Sequence, residues 1–270
     1  MTSKNDLSGR NALISGGTSG INLGIAKVLS EAGVNVAVFG RDAEKASAAA
    51  REIGGVGSGN ALGLAADVRD SDAVAEVIAK ATETFGTLDI VIAGAAGNFP
   101  APAIDISPKG FKTVVDIDLL GTYNVFWSAF EHLRKPGASL IAITAPQATQ
   151  VWPMQAHVCA AKAGVNMLVR SLALEWGPAG VRVNAISPGP IDDTEGMARL
   201  APTESIREHF RKRLALRRFG AADEIGRLAT FLSSPDADYI TGTIIACDGG
   251  TDLGDASTDC LTSRRRKDQA

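Results

Sequence analysis

The chain has 270 residues, 45% of them hydrophobic and 21% charged, a size and mix that suit one large α/β domain better than two full ones. A net charge of −3 weighs against nucleic acid or an anionic membrane surface as the main partner, and no apolar run approaches the roughly 18 residues a membrane span needs. The N-terminal MTSKNDLSGRN has no apolar signal core, and Cys159, Cys247 and Cys260 make neither a disulfide framework nor a metal-ligand spacing, so no metal is expected and the expected compartment is cytoplasmic.

Short β-branched runs alternate with Ala-rich stretches of helical character, the pattern of stacked βαβ units on a parallel sheet. Strands are predicted at 11–15 (NALIS), 34–39 (VNVAVF), 61–65 (ALGLA), 88–93 (LDIVIA), 139–144 (SLIAIT), 181–186 (VRVNAI) and 243–247 (TIIAC). Helices are predicted at 21–32, 43–53, 71–85, 107–134, 155–176 and 222–232, with the fourth broken near Asp118. The fold class that follows is α/β: a doubly wound, seven-stranded parallel sheet flanked by helices in one domain over 1–250. The strandless interval after residue 186 reads as an insertion over 187–221, GGVGSGN (54–60) as a plain surface turn, and 251–270 as a polar tail ending in a basic run.

SGGTSGINLG (15–24) follows the first strand and opens the first helix, the context in which a glycine-rich loop is informative. Glycines at 16 and 20 let the backbone approach a diphosphate, and the helix N-terminus points its N–H groups at the anion. A Rossmann-type dinucleotide loop is expected; the other reading is an ordinary tight strand-to-helix turn. The second strand ends FGRD (39–42). An acidic residue there would accept hydrogen bonds from a ribose 2′-OH; Gly40 followed by Arg41 suits a 2′-phosphate instead and points to NADP(H). The other reading leaves Arg41 solvated beside Asp42, a candidate helix cap.

With these stretches the chain resembles the short-chain dehydrogenase/reductase family, whose fingerprint is TGxxxGxG. Here Ser15 replaces the threonine, and Asn22 stands where the third glycine is usual, with Gly24 two residues on as a candidate to relieve the crowding. AGAAGN (93–98) ends the fourth strand where the family has NNAG, so Ala93 and Gly94 replace both asparagines; SPGPIDDT (187–194) resembles the segment that folds over the nicotinamide, and DGG (248–250) closes the last strand. The resemblance runs over residues 8–250. It implies cofactor contacts from Gly16, Thr18, Ser19, Gly20, Ile21, Arg41, Asp67, Val68, Ala95, Lys162, Pro188, Gly189, Ile191 and Thr194, with Asp67 on the adenine amino group or, on the other reading, merely at a helix start.

Carbonyl reductases of this family use Ser, Tyr and Lys, with the last two spaced YxxxK, plus an Asn in the preceding helix; the lysine lowers the tyrosine pKa so that the phenol can protonate an alkoxide. Here Lys162 is present, but Val158 holds the tyrosine position, Ala145 the serine position and Asp118 the asparagine position. Either the chain binds cofactor without catalysis, or its reaction needs no acid at a carbonyl oxygen.

One branch shows the same replacements. AAGNF (95–99), FKTVVDIDLLGTYNV (111–125), HVCAAKAGV (157–165), LEWGPAGVRVN (174–184) and PGPIDDTEGMARL (188–200) are similar to the peroxisomal-type 2,4-dienoyl-CoA reductases. The resemblance implies hydride transfer from NADPH to C5 of a 2,4-dienoyl thioester, with negative charge spreading to the thioester oxygen and a carbon protonated next. Asp118, alone or together with His157, would then hold the water that delivers the proton; Asn98 or a backbone N–H of 96–99 would hold the thioester oxygen. His157 as a packed core residue and Asp118 as a helix N-cap are the competing readings.

Coenzyme A calls for Arg or Lys beside an apolar channel. The resemblance places contacts on Arg41, Arg69, Phe99, the Ser107–Pro108–Lys109 turn and Arg199. Arg207, Arg211, Lys212 and Arg213 add basic character that serves either coenzyme A or a solvated helix face, and Met197, Leu200, Ile206, Phe210 and Leu214 would wall an acyl channel or bury the insertion. Alternatives to the dienoyl-CoA reductase are a trans-2-enoyl-CoA reductase and a non-catalytic NADP(H)-binding protein. Family members commonly form homotetramers through the helices at 107–134 and 155–176. The chain ends KDQA rather than in an SKL-like signal, so a peroxisomal address is not expected.

Overall fold

A computed structural model describes residues 7–192 and 194–258. Seven strands form one parallel sheet: β1 (Asn11–Ser15), β2 (Asn35–Gly40), β3 (Ala61–Ala65), β4 (Ile90–Ala93), β5 (Ser139–Ile143), β6 (Arg182–Pro188) and β7 (Ile244–Cys247). Their order across the sheet is β3-β2-β1-β4-β5-β6-β7. The chain winds outward from β1 in one direction and, after β3, from β4 in the other, so a crevice opens beyond the carboxyl ends of β1 and β4 where ligands of such sheets bind.

The helices α1 (Gly20–Glu31), α2 (Ala43–Gly54) and α9 (Ala222–Ser233) cover one face, and α3 (Ser71–Phe85), α5 (Gly121–Ala129) and α6 (Ala156–Trp176) the other. Side chains that alternate along each strand divide between the two layers: Leu13, Ala37 and Phe39 pack with Val77, Phe126, Val165 and Leu172, whereas Ile14, Val36 and Val38 pack with Ile25, Leu29, Ile53 and Leu232. Strands buried on both faces need continuous apolar runs, which explains why they were legible as such.

Three local features depart from expectation. Residues 54–60 are more than a surface turn, because a Cβ on Gly59 would stand 1.8 Å from Val34 O and one on Gly57 2.1 Å from Ser30 O; these glycines let the turn lie against the α1–β2 connection. Gly24 relieves no crowding at β4: a Cβ there would meet Ala222 Cβ at 2.5 Å, so it is the close-approach point between α1 and α9. The predicted 107–134 helix is continuous through α4 (Pro108–Val115) and α5, joined by a π-helical turn at Asp116–Leu120. That wide turn holds Asp118, and such turns occur often at functional sites.

The insertion forms two helices, α7 (Glu195–Leu200) and α8 (Glu204–Arg213). The first part of the expected tail is anchored: Ala256 N–H donates to Arg213 O at 3.0 Å, and Gln150 Nε2 to Asp252 O at 2.7 Å. The basic run 264–267 and Cys260 lie outside the described residues.

Candidate active site

Two adjoining cavities run along the carboxyl edge of the sheet. The larger, about 700 Å³, lies over β4, β5 and β6, and the smaller, about 570 Å³, lies over β1, β2 and β3; Thr18, Ser19, Asn22, Lys45, Gly94 and Ala96 line both.

At their junction the glycine loop meets the start of α1. Gly16 has φ +67° and Gly20 φ +56°, left-handed values at which glycine carries no Cβ penalty. A Cβ on Gly16 would press on Ala95 Cα and N at 2.9 Å, while beside Gly20 the nearest group is Thr194 Cγ2 at 4.0 Å, which leaves an open cradle. Asp42, Asp70, Ser107, Thr194 and Thr203 cap their helices with side-chain acceptors, whereas Ser19 gives α1 none. The first N–H groups of α1 therefore face the junction unspent, as an anion site requires. The residues present fit a dinucleotide diphosphate.

In the smaller cavity Arg41 and Lys45 stand at the end of β2 and the first turn of α2. Sequence reasoning missed Lys45, although its spacing of four from Arg41 was a usable signal. Asp67 lines the same cavity and takes a bidentate ion pair from Arg69, with Arg69 Nη2 at 2.6 Å and Nε at 3.0 Å. The Arg69 hydrogen bonds hold the Asp67 carboxyl below its usual range. Val68 and Ala95 complete this wall.

The larger cavity holds Asp118 and Lys162, both buried. Asp118 Oδ1 accepts the Gly97 N–H at 2.7 Å, and Oδ2 lies 3.1 Å from Lys162 Nζ. Lys162 Nζ donates its directed hydrogen bond to Ile143 O at 3.0 Å. Asp118 is thus no helix cap; it ties the loop after β4 to the lysine of α6. Val158 and Ala145 line the cavity where a phenol and a hydroxyl would stand. Asn98 also lines it, and its Nδ2 donates to Gln155 Oε1 at 3.2 Å, an acceptor shared with Gln147 Nε2 at 3.0 Å. Gln147 and Trp152, both cavity-lining, were missed because only the folded loop brings them there.

Ile21, Pro188, Gly189, Ile191 and Thr194 line the larger cavity. Thr194 caps α7 and reaches over Gly20, so the start of α7 closes on the glycine loop. His157 is placed elsewhere. It is fully buried, does not line either cavity, packs edge-on against Phe99 with ring centroids 4.4 Å apart, and has no hydrogen-bond partner at either ring nitrogen. His157 is thus packed in the interior against Phe99.

The residues expected to contact coenzyme A, Arg41 apart, lie around these two cavities rather than in their walls. Arg69 is held by Asp67, Phe99 lies between His157 and Gly110, Ser107 caps α4 through the Gly110 N–H at 3.1 Å, and neither Lys109 nor Arg199 lines either of these two cavities. The basic face of α8 is neutralised: Arg207 pairs with Asp192, Arg211 with Glu204 and Glu208, Lys212 with Glu208 and Arg213 with Asp255. Met197, Leu200 and Phe210 do line the larger cavity, while Met197, Phe210 and Leu214 also pack with Phe219 as the small core of the insertion.

Comparison with known proteins is decisive for the family. A family model described as Enoyl-(Acyl carrier protein) reductase matches residues 16–252. The chain belongs to the short-chain dehydrogenase/reductase family. It is 39% identical over 90% of its length to a Saccharomyces cerevisiae protein named as a peroxisomal 2,4-dienoyl-CoA reductase, of which 84% is covered. An Arabidopsis thaliana protein of the same description is 40% identical over 90% of this chain and 84% of its own. Both are named as (3E)-enoyl-CoA-producing. A Bacillus subtilis relative, "Probable 2,4-dienoyl-CoA reductase [(2E)-enoyl-CoA-producing]", is 39% identical over 88% of this chain and 94% of its own. Among solved structures, a short-chain dehydrogenase from Bacillus anthracis superposes with a TM-score of 0.80 at 34% identity, covering 92% of this chain and 97% of that one. A short-chain type dehydrogenase/reductase from Mycobacterium marinum gives 0.83 at 32%, covering 91% and 96%. This is an oxidoreductase fold that takes a nicotinamide dinucleotide. Among the described residues no helix is long and apolar enough to cross a membrane.

Proposed function

We propose that the protein reduces unsaturated acyl-CoA thioesters, 2,4-dienoyl-CoA foremost, with NADPH as the reductant. The observation that carries this reading is the buried Asp118–Lys162 pair, clamped by the Gly97 N–H, in a cavity where Val158 and Ala145 supply no proton. Such a site is unsuited to protonating an alkoxide and suited to protonating carbon through a held water. The names of the relatives point the same way.

NADPH supplies the hydride. The first N–H groups of α1 would hold the diphosphate, Lys162 the nicotinamide ribose, and Arg41 with Lys45 the 2′-phosphate, two cations where a 2′-OH needs none. Asn98, its amide oriented by Gln155, holds the thioester oxygen as negative charge gathers there. Lys162 adds positive charge beside the reacting carbons. Asp118 holds and delivers the proton, with no part for His157. Met197, Leu200 and Phe210 wall the acyl chain.

A homotetramer accompanies this reading. Leu120, Tyr123 and Trp127 on the helix after α4 and Met167 and Leu174 on α6 are exposed apolar side chains, a pattern that marks contact surfaces. Following NADPH absorbance with 2,4-dienoyl-, 2-enoyl- and 3-ketoacyl-CoA tests the function. Turnover confined to the first supports it; turnover of the second alone moves it to an enoyl-CoA reductase, and binding of NADPH with no turnover to a non-catalytic protein.

A further inference from the structure

The two positions at which the glycine loop and the end of β4 depart from the family pattern meet in the structure. Asn22 stands in the first turn of α1 where the fingerprint has glycine, and Gly94 follows β4 where the family has asparagine. Asn22 Nδ2 donates to Gly94 O at 2.8 Å and reaches Gly16 O at 3.4 Å. A Cβ placed on Gly94 would lie 2.2 Å from Asn22 Oδ1 and 2.5 Å from its Cγ and Nδ2, overlaps that a close-packed interior does not absorb. The side chain at 22 fills the space that a side chain at 94 would need.

We propose that Asn22 is a positioning residue of the dinucleotide site, locked to Gly94 as a reciprocal pair in which the amide has moved from strand to helix. The inference rests on the dinucleotide reading of the cavities. Asn22 is 9% exposed and its Oδ1 is buried without a partner. An orphaned buried oxygen is a liability unless the other half of the amide does something the fold needs. Here the N–H side bridges two carbonyls, one on the diphosphate loop and one on the strand end. Ser15 Oγ adds a second tie to the same strand end, accepting the Gly94 N–H at 3.1 Å. Three residues beyond Gly94 the chain reaches Gly97, whose N–H fixes Asp118. Asn22 therefore sets the spacing between the loop that receives the diphosphate and the segment that aims Asp118, and it lines both cavities at their junction.

The test is a double-mutant cycle read by NADPH fluorescence titration and thermal midpoint in wild type, Asn22→Gly, Gly94→Asn and the double variant. Gly94→Asn alone is expected to weaken NADPH binding by about 30-fold or more or to prevent folding, Asn22→Gly alone by about 3- to 10-fold, and the double variant is expected to return to within about 5-fold of wild type, a coupling typical of residues in contact. A double variant no better than Gly94→Asn overturns the pairing, and so does a harmless Gly94→Asn. If wild type itself fails to bind NADPH, the dinucleotide reading falls and this inference with it; additive losses beside intact wild-type binding sink the pairing alone.

Discussion

Asp118 Oδ2 lies 3.1 Å from Lys162 Nζ inside the larger cavity, while Asp118 Oδ1 accepts the Gly97 N–H. A buried carboxylate paired on both oxygens is held in one orientation, and breaking such a pair strands the partner charge. The same geometry puts a carboxyl group on the wall of a cavity that no tyrosine lines. Asp118→Ala is expected to lower the rate by about 100-fold or more while NADPH affinity stays within about 3-fold of wild type. Loss of cofactor binding in step with the rate would assign Asp118 to structure.

His157 gives the opposite expectation. It is fully buried, with both ring nitrogens unpaired and Phe99 against its ring. His157→Phe should keep the rate within about 3-fold and raise the thermal midpoint, because an apolar ring leaves no buried polar atom unsatisfied. A large fall in rate at unchanged stability would return His157 to the proton path.

Arg41 and Lys45 face the smaller cavity together. Arg41→Ala and Lys45→Ala should each narrow the NADPH-over-NADH preference by about 10-fold, the loss of one charge-assisted contact. An unchanged ratio of kcat/KM values would remove that residue from 2′-phosphate recognition.

These residues show where sequence reasoning reached and where it stopped. Strands and glycine loop were legible because their signals are local: apolar runs buried on both faces, and glycines at fixed offsets before a helix. The orientation of His157 was also readable. Val158 is four residues before Lys162 and shares its face of α6, so His157, turned about 100° away, cannot. The ion pairs of Arg69, Arg207, Arg211 and Arg213 were not legible, since their acids are brought together by the fold and were not weighed as partners. Gln147 and Gln155 meet Asn98 only through the loop after β5, a contact that spacing does not encode.

The start of α9 carries a pH-dependent stability. Arg218 forms a bidentate pair with Glu224 at 2.7 and 2.8 Å, and Glu224 also accepts the Ala221 N–H at 2.9 Å. Mainly through Arg218, the Glu224 carboxyl is pushed down to about 2. A depressed carboxylate stabilises the fold fully above its unfolded value of 4.5 and loses that contribution as the pH falls toward the folded value. Glu224→Gln should therefore lower the thermal midpoint at pH 7, by the few degrees that losing about 1 kcal/mol implies, and the gap should close between pH 4.5 and 2. A gap independent of pH would mean that packing, not charge, holds this corner.

The central claim is a hydride transfer to an unsaturated thioester in a cavity without a phenolic acid. Its most direct test is the consumption of NADPH with 2,4-dienoyl-CoA and 3-ketoacyl-CoA under identical conditions. Steady oxidation is expected with the dienoyl thioester, with product reduced at one carbon–carbon double bond, and no reaction with the ketoacyl thioester. Reduction of the ketone with the dienoyl thioester untouched would contradict it.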